Sequence, residues 1–312
     1  MNYLRHIISL QNKLKLLFLI ATLFLIPSTQ AIQNKVQKNT SNNKLTICLE
    51  ECQLDSGLMF DLAKILYSEN KLTTEYQKHQ KNNTFDTDII ISDKILSNAT
   101  AKNYVLELTL RKPILITVNE NNAIRAISSD NLSKAILGKI QHWSDLSNSK
   151  IILPKNKINA YCAPKDSFLM KKIFNSELDK DIKEYGRFTS LDDEEQVIQI
   201  SQIDPNALSL TTIGNLNDKV KVIKLDGIQP FKEENSQAIL NNDYKFTLEF
   251  YFYKKKGINP KASKFFSIFK DKKNSLLIQQ KFNYFIVKKS LIKKEKQQLK
   301  INVNKTTNKD KK

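Results

Sequence analysis

Arginine is nearly missing from this chain: Arg5, Arg111, Arg125 and Arg187 are all it has in a Lys+Arg total of 50 over 312 residues. Phosphates and bases are read by planar bidentate donors and aromatic platforms arranged in stripes or modules, whereas here lysine is scattered among asparagine and isoleucine. Nucleic-acid binding is therefore not expected. Histidine is scarcer still, with only His6, His79 and His142. Hydrolytic chemistry needs a nucleophile beside a base and a third group to orient them, and Cys162 with His142 is the one pairing that can be assembled. Nothing in the sequence brings those two together, so neither catalysis nor a cofactor is expected. The three cysteines, Cys48, Cys52 and Cys162, lack a standard metal-ligand spacing with His79 or His142, which argues against a metal site. No apolar run is long enough to cross a bilayer comfortably.

The longest such run, Leu16 to Ile26, instead follows a basic stretch ending at Lys15 and precedes Pro27 and Ser28-Thr29-Gln30-Ala31. A charged start, a short apolar centre and small residues at the end make a secretory signal, with cleavage expected after Ala31 and a periplasmic location for the product. No cysteine follows the run, so lipid anchoring is not expected. Export places the cysteines where disulfides form, and an odd number leaves at least one thiol unpaired; Cys48 and Cys52 are close enough in sequence to close a small loop.

The formal charge of +18 sits largely at the ends. Residues 1–31 carry Arg5, Lys13 and Lys15 without an acid, and residues 288–312 carry ten lysines against Glu295 and Asp310, leaving +7 for the body. The body is thus a mildly basic globule. Residues 32–44 are a polar, flexible leader, and 288–312 read as a lysine-rich disordered tail able to make weak, salt-sensitive contact with an anionic membrane surface.

Between the ends, strand-like and helix-like stretches alternate, which gives an α/β chain with a parallel-rich sheet. Strands are expected at Leu45–Leu49, Asp88–Ile91, Ile114–Val118, Ile151–Leu153, Ile158–Cys162, Leu208–Thr212, Val220–Leu225, Tyr244–Tyr253 and Tyr284–Val287. The all-apolar run after Asp88 suits a parallel strand buried on both faces. Helices are expected after Asp55-Ser56-Gly57, around Leu96–Val105, from Asn131 to Leu137 behind an Asp130 or Ser129 cap and stopped by Gly138, and at Phe168–Phe174, Asp192–Ile203, Pro260–Lys270 and Ser275–Phe282.

Four stretches in order resemble the periplasmic phosphate-binding proteins of phosphate ABC transporters. They are Asp88-Ile-Ile-Ile-Ser-Asp-Lys-Ile-Leu-Ser97; Leu132-Ser-Lys-Ala-Ile-Leu-Gly-Lys-Ile-Gln-His-Trp-Ser-Asp-Leu146; Asp204-Pro-Asn-Ala-Leu-Ser-Leu210 with Leu225-Asp-Gly-Ile-Gln-Pro230; and Tyr244 to Phe285. The block through Gly138, Trp143 and Asp145 is the most specific. It supports architecture more than ligand contact: a helix stop, a core tryptophan and a cap. The resemblance implies a two-lobed type II periplasmic-binding-protein-like fold with two crossover strands, lobe one being 45–118 plus 219–287 and lobe two 119–218. It also implies an ABC permease in the inner membrane as partner and a small oxyanion, phosphate first, as ligand.

Phosphate held without a metal needs dense donors at helix N-termini and one carboxylate to accept its proton. On that resemblance the ligand-binding residues are Ser56 at the start of the first helix, Ser92 and Asp93 after the buried strand, and Ser167 opening the helix after Cys162. Lys165 stands in as a point charge. Ser56, Asp93 and Ser167 each have a plain alternative as helix caps. The chain departs from the family where its arginine falls at Cys162, its Gly-Thr at Phe168-Leu169, and its Gly-Ser-rich first loop at Leu49-Glu50-Glu51-Cys52-Gln53. The Gly-rich loop before Asp88 is replaced by Lys78–Asn83. A phosphate receptor lacking the arginine and gaining two acids would lose on the order of 1–3 kcal/mol of anion affinity for each change.

Overall fold

A computed structural model describes residues 43–50, 52, 54–78, 86–97, 100, 102–146, 155–164, 167–176, 188–214, 216–230 and 236–288. The expected signal segment with Ala31, the strand at 151–153, Lys165 and the tail from 289 lie outside the described residues. No helix among the described residues is long and apolar enough to cross a membrane.

The first sheet has six strands in the order β13-β4-β12-β3-β1-β2: β1 Lys44–Glu50, β2 Thr73–Lys78, β3 Ile89–Ser92, β4 Tyr104–Pro113, β12 Thr247–Lys255 and β13 Phe285–Lys288. β2, β1 and β3 run parallel, while β12 runs antiparallel to both β3 and β4, and β13 antiparallel to β4. All four residues of β3 are buried, as a strand covered on both faces requires. The second sheet has five strands in the order β10-β5-β9-β7-β8, from β5 Leu115–Asn119, β7 Asn159–Cys162, β8 Phe188–Ser190, β9 Ala207–Thr211 and β10 Val220–Val222. Every residue of β5 and β9 is buried. A two-stranded parallel pair joins β6 Ala126–Ile127 to β11 Lys224–Leu225.

Helices cover these sheets with apolar stripes set by sequence spacing. α1, Ser56–Asn70, buries Leu58, Leu62 and Leu66, four residues apart, and Asp55 caps it by accepting from the Gly57 and Leu58 amides at 2.8 and 3.1 Å. α2, Ser129–Ile136, is capped by Ser128 and not by the expected Asp130 or Ser129, and Gly138 leaves it with a φ of 70°, a value that costs glycine nothing. α3 is Phe168–Ser176 and α4 is Glu194–Ile203, behind an Asp193 cap. α5 is Ser236–Leu240. α6, Pro260–Lys270, starts with proline at its first position behind an Asn259 cap and lays Phe265 and Phe269 against Phe252 of β12, with ring centroids 6.3 and 5.6 Å away. α7 is Lys272–Phe282.

The chain passes between the sheets twice. β4 runs into β5 across Ile114, and the return comes between β11 and β12. The two crossings bond to each other: the Ile114 amide donates to the Phe246 carbonyl at 2.8 Å, and the buried Tyr244 hydroxyl donates to the Ile114 carbonyl at 2.6 Å. β5 and β10 bond inside the second sheet, and β4 and β12 inside the first. Val220–Leu225 divides between two sheets at Ile223. The helix expected around 96–105 is corrected at its far end, where β4 begins at Tyr104. Leu106, Leu108 and Leu110 alternate there as a strand does.

All three cysteines are buried, and none is joined to another in a disulfide. Burial, then Glu50, pushes the Cys48 thiol up to about 11, and burial, then Asp93, Cys48 and Glu50, pushes Cys52 up to about 12. A thiol needs both access and thiolate to react. Ellman's reagent at pH 8 is therefore expected to count no fast thiol in the folded protein and three in denaturant without reductant; one fast thiol, or a lower count in denaturant, would contradict this arrangement.

Candidate functional site

A groove of about 460 Å³ opens between the two sheets, lined by Asp55, Lys112, Ala163, Pro164, Ser167, Asp192, Asp193, Glu194, Glu195, Thr212 and Ile213. Its second-sheet wall is built from residues just beyond the carboxyl ends of β7 and β9, where α/β folds characteristically place ligands. Its first-sheet wall is the cap of α1 and the end of β4.

Lys112 is the groove's one cation among these lining residues. It is 9 % exposed, its Nζ lies 3.8 Å from Asp55 Oδ2, and it sits 5.0 Å above the Tyr284 ring. Burial lowers its pKa, opposed first by Glu194 and then by Asp55 and Glu195. The lysine therefore faces carboxylates of both walls. Glu194, at the start of α4, accepts from Thr211 Oγ1 at 2.7 Å, from the Thr212 amide, and from Thr212 Oγ1 at 3.1 Å. A carboxylate of the protein itself thus takes up the donors at the end of β9. Ser167 caps α3, its hydroxyl accepting from the Met170 amide at 3.3 Å and its own amide donating to Pro164 at 2.8 Å.

Of the residues expected from sequence, the groove's lining includes Ser167. Ser56 is exposed as the first residue of α1, and the cap is Asp55 beside it. Ser92, the last residue of β3, and Asp93 after it are buried and are not lining residues of the groove: Ser92 Oγ accepts from the Lys94 amide at 3.1 Å, and Asp93 acts on Cys52. Lys165 lies outside the described residues. Asp55, Lys112, Glu194 and Thr212 were not anticipated; the signal was the pair Asp192-Asp193 leading into Glu194-Glu195, which reads as a helix cap and also supplies a groove wall. Cys162 is fully buried at the end of β7, and His142 Nδ1 instead lies 3.5 Å from Asp145 Oδ2, so the pairing considered for catalysis does not form. Asp145 ends the short turn Trp143–Asp145, and Trp143 is wholly buried in the core.

No protein-family model and no curated protein sequence matches the chain. Solved structures do. PstS from Borrelia burgdorferi superposes with a TM-score of 0.58 at 14% identity, covering 78% of this chain and 99% of that one. An ABC-type phosphate transport receptor from Vibrio cholerae gives 0.57 at 15% identity, covering 75% and 96%. The chain has the two-lobed fold of periplasmic binding proteins. In that fold the six-stranded sheet belongs to one lobe, the five-stranded sheet to the other, and the groove at Lys112 and Ser167 is the cleft between them. Its lining holds five carboxylates to one amine.

Proposed function

We propose that this protein is an exported, non-catalytic solute receptor that closes its two lobes on a small solute and passes it to an ABC permease. The ligand in this reading is an oxyanion of the phosphate class. What supports it is the cleft itself: it opens at the carboxyl ends of two strands, under the capped N-terminus of α3, with a desolvated lysine on the opposite wall. Ser167 and Lys112 are the donors assigned to the ligand. The likeness to phosphate receptors is one of fold.

A second reading comes from the same cleft. Five carboxylates converge on it, and the donors after β9 are already satisfied by Glu194. Such a lining suits a solute that carries positive charge at one end. Titration calorimetry on residues 32–312 separates the two, with phosphate, sulfate, molybdate and tungstate in one set and spermidine in the other. Heat from an anion is the expected result; heat from spermidine alone replaces the oxyanion with a cationic solute, and silence toward every anion removes the oxyanion assignment.

A further inference from the structure

Among the described residues the chain crosses between its lobes at Ile114 and between β11 and β12, so the contacts made across the cleft decide whether it stands open or closed. Two kinds of contact span it. One is electrostatic: Lys112 faces Glu194 and Glu195, but its nearest carboxylate is Asp55 of its own lobe. The other is a packed aromatic contact. Phe168, the first residue of α3, reaches from the second lobe to Phe250 of β12 with ring centroids 5.5 Å apart and planes inclined by 32°. Phe250 is 1 % exposed and meets Tyr284 edge-on at 5.7 Å. Phe168 thus packs partly buried against a hydrophobic cluster that runs from one lobe into the other, and its ring partner Phe250 is on the first lobe's side.

The local sequence fixes that ring in place. Ser167, whose amide donates to the Pro164 carbonyl, caps the first turn of α3, so Phe168 leaves a capped helix start beside the cleft. Opening the lobes would pull Phe168 away and bring water to Phe250 and Tyr284, which are otherwise buried. Here the protein supplies its own bridging side chain.

We propose that Phe168 is an aromatic latch holding the two lobes closed in the absence of solute. The inference rests on the two-lobed receptor reading, but it concerns the empty protein, so its test needs no ligand. Closure then becomes a property of the free chain. The surface that a permease meets on a closed receptor is presented whether or not the cleft is filled.

Spin labels at Lys264→Cys on α6 and Gln199→Cys on α4, both exposed, report the distance between lobes, and the native thiols are buried. Without solute the labelled protein is expected to give one short distance. Adding Phe168→Ala is expected to raise the open-to-closed ratio about tenfold, seen as a second, longer distance, because an aromatic contact and its buried area are lost. Phe168→Leu, which keeps an apolar side chain, is expected to stay mainly short and guards against a variant that merely fails to fold. A long or divided distribution in the unsubstituted protein overturns the proposal, as does an unchanged short distance in Phe168→Ala. Calorimetric silence toward every solute would instead remove the receptor reading and leave these distances to be judged by themselves.

Discussion

Replacing Arg111 with leucine lowers the unfolding free energy by about 3–5 kcal/mol, measured by urea denaturation at pH 7. Arg111 lies in β4 with 2 % of its surface exposed, yet its guanidinium is engaged on two sides. Nε donates to Glu249 Oε1 of β12 at 2.7 Å, and Nη1 donates to the Ile239 and Leu240 carbonyls of α5 at 3.2 and 2.8 Å. The other oxygen of Glu249 accepts from Tyr251. Leucine restores the apolar volume but leaves a carboxylate in a poorly hydrated place and two carbonyls without their donor. Removing the carboxylate as well, in Arg111→Leu with Glu249→Leu, recovers part of the loss, because the uncompensated charge disappears with it. The exposed pair Lys255–Asp86 at 2.6 Å provides the contrast, and Lys255→Ala is expected to cost less than about 1 kcal/mol. A loss below about 1 kcal/mol for Arg111→Leu would show that water reaches this pair and that the burial described is wrong.

Much of the fold can be read from spacing. Leu58, Leu62 and Leu66 declare a helix, and Ile89-Ile90-Ile91 a buried strand, because periodicity 3.6 and a continuous β-branched run have few other outlets. Asn259-Pro260 and Gly138 mark helix ends by conformational chemistry alone. The misreadings come where two signals compete. Tyr104–Pro113 alternates, but helix formers just before it carry the helical pattern too far. Thr73–Lys78 has only one large apolar residue, Tyr76, because β2 is an edge strand supported on one side by β1. Val220–Leu225 looks like one strand since nothing local tells Ile223, bonded to Ile116, that its neighbours belong to different sheets.

The candidate site was legible in part, and the reason is geometric. Ser167 could be placed through the family resemblance, as the serine opening the helix that follows the strand feeding the cleft. Lys112 could not, since a lysine inside an alternating strand reads as a solvated face until the crossing at Ile114 is known to turn it toward the opposite wall. Glu194 illustrates the same limit: as a first-turn acid it is ordinary helix chemistry, and only the return of β9 to Thr211 and Thr212 makes it the filler of a donor cradle. Phe168 was visible as a departure from a glycine, while its partner Phe250 stands 82 positions away in the other lobe.

Raising the pH beyond 10 is expected to unfold the protein steeply, and buried tyrosines are the reason. Burial is the largest cause holding the hydroxyls of Tyr244, Tyr251 and Tyr284 far above the usual phenol range; Asp226 adds to it at Tyr244 and Glu249 at Tyr251, while at Tyr284 the hydrogen bond from the Asp55 amide works against it. Their folded pKa lies above the unfolded value near 10, so their stabilisation is fully present below pH 10 and is lost as pH climbs past it. Each contributes a loss of about 1.4 kcal/mol per pH unit, and three together about 4, which within two to three units matches the stability of an ordinary domain. Lys221 works in the opposite sense. Burial, then Arg125, lowers it to about 8, so between 8 and 10.5 its protonated form is disfavoured in the folded chain and stability rises as the proton leaves. A shallow maximum near pH 10 should therefore precede the fall. Absorbance at 295 nm and far-ultraviolet circular dichroism, followed together from pH 8 to 13, give the check. At least these three tyrosines should ionise only as the dichroism collapses; if every tyrosine titrates smoothly near pH 10 while the fold persists, Tyr244 cannot be sealed against Ile114 at the crossing between the lobes, nor Tyr284 beneath Lys112.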